Sequence, residues 1–171
     1  MTSCKKEGTL TLNFGTWSAD PATGGGQTLT SNGQTQIQIT TSDTTTVMQL
    51  SEMINAAATD SDNDGNVDVV ASVVYTGSAY LLQLKSESGA ANEMKVTATS
   101  NLATTSGGIA YNYNGTTSNM TQRVAGVDAA FTLDGIAMTR SSNTITDVVD
   151  GFDLKLNKVN DSAIQITSEV D

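Results

Sequence analysis

The chain of 171 residues contains no histidine, one cysteine and one proline. Without histidine it lacks the most common general base, and with it the Ser-His and Cys-His nucleophile arrangements. The single Cys4 excludes an intrachain disulfide and a cysteine-rich metal site, and its terminal position favours an incidental residue over an attachment site. We therefore predict no enzyme, with no catalytic, cofactor-binding or metal-ligating residues assigned.

Basic residues are also scarce: 8 stand against 18 acidic residues, which gives a formal net charge of −10. This charge opposes binding to nucleic acid and to anionic lipid surfaces, and the basic residues are scattered from Lys5 to Lys158 without forming a patch. No apolar run approaches the roughly 18 residues of a membrane span. Residues 1–8 lack the apolar segment of a secretory signal and are interpreted as a remnant or a linker.

Threonine, serine, asparagine and glycine fill the place of the missing apolar residues, which make up 37% of the chain. Threonine suits a half-exposed sheet, and glycine and asparagine suit the turns between strands. The composition predicts a β-rich protein. With the patterns and the resemblance described below, the expected fold class is mainly β (α+β), with antiparallel, β-sandwich-like sheets and one or two short helices.

In the first two thirds, alternating or apolar runs predict strands at residues 9–14, 36–40, 69–75, 80–86 and 94–99, with a hairpin turn at residues 76–78. Between them, Val47, Leu50 and Ile54 recur at helical spacing and predict an amphipathic helix over residues 47–58. Thr46 and Gln49 have the spacing of a capping box. Residues 24–26 are glycines of a flexible loop, and residues 102–121 suit either a long loop or an edge hairpin.

The last third begins with a strong hairpin signal, residues 130–133 and 136–139 joined by Asp134-Gly135. Asn143 is predicted to cap a helical turn over residues 144–149, with Gly151 at its left-handed C′ position. Strands follow at residues 152–156 and 163–168. A break at residues 122–126 separates two predicted units, residues 9–124 and 125–171.

One stretch, about residues 44–92, resembles the flagellin hook IN motif. It contains the helix end Ile54-Asn55-Ala56-Ala57, followed by the runs at residues 70–74, 80–86 and 88–92. The motif recurs in several flagellar axial proteins, so by itself it indicates a flagellar surface domain.

A second stretch is similar to the segment that follows this motif in the FliD family of filament-cap proteins. It comprises residues 128–135, 139–145 and 150–156. The resemblance implies a D3-like outer domain at residues 9–124 and part of a D2-like domain at residues 125–171. It also implies an extracellular, ring-shaped cap at the tip of the bacterial flagellum, which promotes flagellin polymerisation and has flagellin and hook–filament junction proteins as partners.

Two other functions remain open from the sequence. Thr/Ser/Asn-rich loops and an acidic loop suit an adhesive or carbohydrate-binding surface domain. Its candidate recognition residues are the aromatic side chains of Trp17, Tyr111 and Tyr113. For Trp17, a position in the hydrophobic core fits the sequence at least as well. A polysaccharide-active enzyme would need a carboxylate pair such as Asp147 and Asp150, for which a surface position is the favoured interpretation.

The acidic loop matches the pattern DxDxDG, in which Asp60, Asp62 and Asp64 are a weak calcium candidate. The twelfth position is Ala71, where an EF-hand loop needs a bidentate glutamate, and the following residues have a strand pattern. A plain acidic turn is therefore favoured over a calcium site.

Overall fold

The computed structural model describes residues 7–19, 27–103, 120–159, 162 and 164. The described elements, in chain order, are β1 (Gly8–Ala19), β2 (Gln27–Ser31), β3 (Ile37–Thr41), α1 (Val47–Ala57), β4 (Val69–Tyr75), β5 (Tyr80–Ser86), β6 (Glu93–Ala98), a 3-10 turn (Ser100–Ala103), β7 (Ala129–Leu133), β8 (Ile136–Arg140), β9 (Thr144–Val149) and β10 (Phe152–Lys155). Contacts divide the chain into two compact units, Met1–Val127 and Asp128–Asp171. The predicted mainly β, antiparallel fold class is confirmed.

Strand β1 is the centre of the four-stranded sheet in the first unit. Its first half pairs with β3, its second half pairs with β2, and its middle pairs with β6, all antiparallel. Leu10, Leu12 and Phe14 alternate along it and are buried, as their spacing predicts. The strand runs past the predicted end at residue 14, because β2 supplies a partner for residues 15–19.

Strand β2 was not predicted from the sequence. Its residues are polar or only partly buried, so no apolar alternation marks it. It approaches β1 closely at Gly15, where a Cβ atom would lie 1.9 Å from the carbonyl oxygen of Thr30. Glycine at this position therefore allows β1 and β2 to pair.

One hydrophobic core joins the sheet, helix α1 and strand β4. Leu50 and Ile54 project from the helix into a cluster that includes Leu12, Val69 and Ala71. The cluster also contains Leu10, Phe14, Ile37, Ile39, Val96 and Leu102. Burial of this apolar surface is the main favourable contribution to folding of the unit.

The start of α1 has the predicted capping box. The Gln49 amide donates to the Thr46 hydroxyl at 3.2 Å, and the Thr46 amide donates to the Gln49 side-chain oxygen at 2.9 Å. Both amides belong to the first turn, where no intrahelical acceptor is available. The predicted helix and its N-cap are confirmed.

Near its end, α1 holds the edge of strand β4 through Asn55. The Asn55 amide group donates to the Ala71 carbonyl at 2.8 Å, and its oxygen accepts from the Ala71 amide at 2.7 Å. The Ser51 hydroxyl donates to the same carbonyl at 3.2 Å. One side chain thus satisfies both main-chain groups of Ala71, as a neighbouring strand would.

Strands β4 and β5 form the predicted hairpin, in register from the pair Val69 and Ser86 to the pair Tyr75 and Tyr80. The turn is closed by the Thr76 amide, which donates to the Ala79 carbonyl at 2.9 Å. Strands β3 and β6 each lie within one residue of their predicted bounds.

The second unit contains two hairpins in its described residues. Strands β7 and β8 pair as predicted, and both turn residues have positive φ, 50° at Asp134 and 82° at Gly135. This is the sign pattern of a type I′ turn, which matches the twist of the two strands.

The predicted helical turn over residues 144–149 is wrong, because these residues form strand β9, which pairs with β10. Thr144, Ile145, Val148 and Val149 are β-branched and suit a strand, and Ile145 is buried. Gly151 has the expected positive φ, 78°, but it lies in the hairpin turn between the two strands. The predicted Asn143 cap is likewise wrong, since no helix begins there.

Several predictions fall outside the described residues. These are Cys4, the glycine loop at residues 24–26, Tyr111, Tyr113 and most of the predicted strand at residues 163–168. Of the interval 102–121, residues 104–119 are also outside, whereas Leu102 is buried in the 3-10 turn.

Replacing Asn55 with alanine should destabilise the first unit by about 1–3 kcal/mol, because both main-chain groups of Ala71 lose their partner. The measurement is urea unfolding of the Asn55→Ala variant. Asn55→Asp should be at least as destabilising, since it places an acceptor against the Ala71 carbonyl. Glu52→Ala, on the exposed side of the same helix, is the control. Equal stability of Asn55→Ala and Glu52→Ala would contradict the proposed contact.

Candidate functional site

The acidic loop that joins α1 to β4 is shaped by its own carboxylates. The Asp60 carboxylate accepts from the amides of Asp64 and Gly65, both at 3.0 Å. The Asp64 carboxylate accepts from the Asn66 amide at 2.8 Å. Each side chain thus satisfies main-chain groups of the turn, which is the ordinary structural role of aspartate in loops.

Asp68, at the end of this loop, is fully buried. Its carboxylate accepts from the Ser61 hydroxyl at 2.8 Å, from the Ser61 amide at 3.2 Å and from the Thr59 hydroxyl at 3.4 Å. The Asp68 amide in turn donates to the Thr59 carbonyl at 2.8 Å. These bonds bring the two ends of the loop together and offset the cost of burying the carboxylate.

Within the described part of the chain, two groups of three carboxylates have oxygens close enough to share a cation. In each group, one oxygen from every residue lies within 4.8 Å of the others. The first group is Asp60, Asp62 and Asp64, which the sequence singled out. The second is Asp62, Asp68 and Glu87, and it was missed because Glu87 lies beyond the β4–β5 hairpin in the chain.

Glu87 follows directly after β5 and is partly buried. Its Oε2 accepts from the side-chain amides of Gln34 at 3.0 Å and Asn92 at 3.4 Å. Burial, followed by the negative charges of Asp64, Asp62 and Asp68, raises the pKa of Glu87 to about 7, although the Gln34 hydrogen bond opposes the rise. The four carboxylates thus form a region of concentrated negative charge.

Asn32 connects the polar side chains around Glu87. Its amide group donates to the Gln34 side-chain oxygen at 2.9 Å, to the Asn92 side-chain oxygen at 2.9 Å and to the Ala91 carbonyl at 3.1 Å. Gln34 and Asn92 are the two residues that donate to Glu87. The position of Glu87 therefore depends on a network built from two loops.

The other candidate residues from the sequence lie outside the acidic loop. Asp147 lies in β9 and pairs with Arg140, whose Nη2 lies 3.0 Å from the Asp147 carboxylate. The hydrogen bond from Arg140 lowers the pKa of Asp147. Asp150 lies in the turn between β9 and β10 and is exposed. Trp17 is partly buried near the end of β1, and Ala71 is in β4, where its main chain contacts Asn55.

The outer part of the β4–β5 hairpin exposes apolar side chains. Val70, Val74 and Leu81 are each about half exposed, and Tyr75 and Tyr80 stack at the tip with ring centroids 4.8 Å apart.

Among the described helices, none has the length and apolar character needed to cross a membrane.

Because the pKa of Glu87 is raised, the stability of the folded chain should change with pH in one direction. The folded chain keeps this proton up to about pH 7, whereas the unfolded chain releases it near pH 4.5. Stability should therefore fall as pH rises through this window. In metal-free buffer, the melting temperature of Glu87→Gln should match that of the wild type near pH 4 and exceed it at pH 8. Glu52→Gln is the control, and parallel curves for all three proteins would contradict the assignment.

Comparison with known proteins gives one consistent family. Residues 126–171 match the family model described as the C-terminus of flagellar hook-associated protein 2. Over 115 residues, the chain is 32% identical to flagellar hook-associated protein 2 of Salmonella typhimurium, covering 66% of this chain and 24% of that protein. The chain thus spans about a quarter of the length of this relative.

Solved structures agree with this match. The fold is similar to that of the D1–D2–D3 domains of the flagellar cap protein FliD from Escherichia coli, with a TM-score of 0.70 and 23% identity over 95% of this chain and 41% of that one. It is also similar to the D2–D3 domains of FliD from Serratia marcescens, with a TM-score of 0.60 and 26% identity over 92% of this chain and 83% of that one. The family-model match, the Salmonella relative and these solved structures thus agree in one resemblance, to flagellar hook-associated protein 2 (FliD).

Proposed function

We propose that this chain is the outer part of a flagellar filament cap, a structural assembly that promotes flagellin polymerisation at the filament tip. The observation that carries the proposal is the match of residues 126–171 to the family model. The similarity to the Salmonella protein, which extends over 115 residues, supports it independently. The location that follows is extracellular, on the bacterial flagellum.

The two units correspond, in this proposal, to the two outer domains. Residues 9–124 form a D3-like domain that includes the hook IN motif at about residues 44–92, and residues 125–171 form part of a D2-like domain. The contacts of Ile54 and Asn55 support a structural role for the motif. Ile54 is buried in the core, and Asn55 holds β4 through Ala71.

The partners follow from the same assignment. The full-length protein would associate into a ring-shaped cap and contact flagellin subunits and hook–filament junction proteins. The net charge of −10 supports a solvent-facing position for this segment, since like-charged domains repel one another. Self-association would then depend mainly on other parts of the longer protein.

A structural role is also supported by the chemistry of the described residues. Of the two candidate carboxylates, Asp147 is ion-paired with Arg140, and Asp150 is exposed in a turn. The family and the structural relatives do not favour the adhesive or carbohydrate-binding alternative, and we do not propose it.

The test is complementation of a motile strain that lacks its own cap protein. The full-length protein carrying this segment should restore filaments and reduce flagellin in the medium to the wild-type level. The same protein without residues 9–167 should restore filaments less well, because the outer domains are missing. Full-length protein with Glu52→Ala, an exposed change, is the matched control and should behave as the wild type.

The amount of exported flagellin decides how a failure is interpreted. If the full-length protein is exported and folded but flagellin still accumulates in the medium, the proposed cap function is wrong. If the full-length protein and the shortened protein restore filaments equally well, the cap function holds and the need for these outer domains is refuted.

A further inference from the structure

Asn32 is followed by Gly33 in the loop that joins β2 to β3, and both residues are exposed. Glycine has no Cβ atom, so it hinders the side chain of the preceding residue less than any other residue does. Apart from its chain neighbours, no atom of the described chain lies within 4 Å of the place that a Cβ atom at Gly33 would take. Little therefore shields the bond between these two residues from the Asn32 side chain or from water.

Two hydrogen bonds act on the groups of this loop that can react with each other. The Gly33 amide donates to the Ser31 hydroxyl at 3.1 Å, so its proton already has an acceptor. The Asn32 side-chain oxygen accepts from the Gln34 amide at 3.0 Å. A donor at this position stabilises the negative charge that develops on a carbonyl oxygen when its carbon is attacked. The folded loop thus favours attack of the Gly33 nitrogen on the Asn32 side chain.

We propose that Asn32 is a deamidation site and that the folded loop promotes the reaction. The Gly33 nitrogen forms a bond to Cγ of Asn32, and the bond from Cγ to Nδ2 breaks. Nδ2 leaves as ammonia and takes the proton that the Gly33 amide loses. Water then opens the cyclic imide. Opening at the side-chain carbonyl gives aspartate, and opening at the main-chain carbonyl gives isoaspartate, in which the chain continues through the side chain. Water is the one co-reactant, and no electrons are transferred.

The nitrogen that leaves is the donor that joins two loops of the first unit. Nδ2 of Asn32 donates to the Gln34 side-chain oxygen within its own loop. In the loop between β5 and β6, it donates to the Ala91 carbonyl and to the Asn92 side-chain oxygen. A carboxylate at this position has no hydrogen to donate, so these oxygens face a negative charge instead. Deamidation therefore separates the two loops and releases Gln34 and Asn92, which bind Glu87.

Isoaspartate has a further effect, because it adds a methylene group to the main chain directly after β2. The Asn32 amide donates to the Phe14 carbonyl at 3.3 Å, so the residue itself is held beside β1. The longer main chain then has to be accommodated in the loop before β3. The proposal rests on the contacts of the first unit alone and does not depend on the proposed cap function.

The experiment is incubation of the folded 171-residue chain at neutral pH, followed by digestion and mass spectrometry of the peptide that contains Asn32. A synthetic peptide of residues 29–36 gives the rate that the local sequence alone sets. Aspartate and isoaspartate should form at position 32 faster in the folded chain than in the peptide. Asn55 and Asn92, which are not followed by glycine, should keep their amides. An equal or slower rate at Asn32 in the folded chain would overturn the proposal.

Two variants test the groups that are assigned to the reaction. Ser31→Ala removes the acceptor of the Gly33 proton and should slow the reaction in the folded chain at least about threefold. Gly33→Ala should slow it at least about tenfold, which corresponds to a rise of about 1.4 kcal/mol in the activation barrier. Ser72→Ala removes an exposed hydroxyl from β4 and is the control, with an unchanged rate. Circular dichroism verifies that each variant is folded. A rate in Ser31→Ala equal to that of the wild type would refute promotion by the loop.

The structural consequence is tested with Asn32→Asp, which is one of the two products. This variant should have a lower melting temperature at neutral pH, because its carboxylate cannot donate to the loop between β5 and β6. Asn13→Asp makes the same chemical change in β1 and is the matched control. It keeps the side-chain oxygen that accepts from the Gln36 side-chain amide at 2.6 Å, so it should lower the melting temperature less. An equal or smaller decrease in Asn32→Asp would refute the proposed separation of the loops.

Discussion

The hydrogen bonds between Asn55 and Ala71 are the contact on which the arrangement of the first unit depends. Strand β4 pairs with β5 on one side. On its other side, the Asn55 side chain takes the place of a strand by binding both main-chain groups of Ala71 at 2.8 and 2.7 Å. Because α1 is itself fixed by Leu50 and Ile54 in the core, the helix sets the position of the whole hairpin.

The position of the acidic residues follows from this contact. The loop that contains Asp62 and Asp68 connects the end of α1 to the start of β4, and Glu87 follows the end of β5. A helix and a hairpin held together by Asn55 therefore bring both segments to the same end of the hairpin. The concentration of negative charge around Glu87 results from this topology. Burial of the Glu87 carboxyl group and, after it, these negative charges raise the pKa of Glu87.

The two units differ in how far their folds depend on a buried core and how far on local sequence preferences. In the first, a continuous core surrounds α1 and β1. In the described part of the second, Ile145 is the one fully buried apolar side chain, and its strands are paired only as hairpins. Local turn chemistry and β propensity are correspondingly more important there. The type I′ turn at Asp134-Gly135 and the β-branched residues of β9 are examples.

The sequence by itself determined the features that depend on short-range patterns. Alternation along β1, the capping box at Thr46 and the Asp134-Gly135 turn are local, so residue type and spacing specify them. The resemblance to filament-cap proteins was likewise readable from the runs around Asn55 and at residues 128–156. Asp60, Asp62 and Asp64 were identified as a group for the same reason, since they are near neighbours in the chain.

Only the tertiary structure decided the features that need a distant partner. Strand β2 exists because β1 offers unpaired main-chain groups beyond Gly15, and β9 is a strand because β10 folds back to pair with it. Glu87 joins Asp62 and Asp68 only after the hairpin is placed against α1. In each case the deciding energy comes from main-chain pairing or charge proximity between segments that are separated in sequence, which a local pattern does not encode.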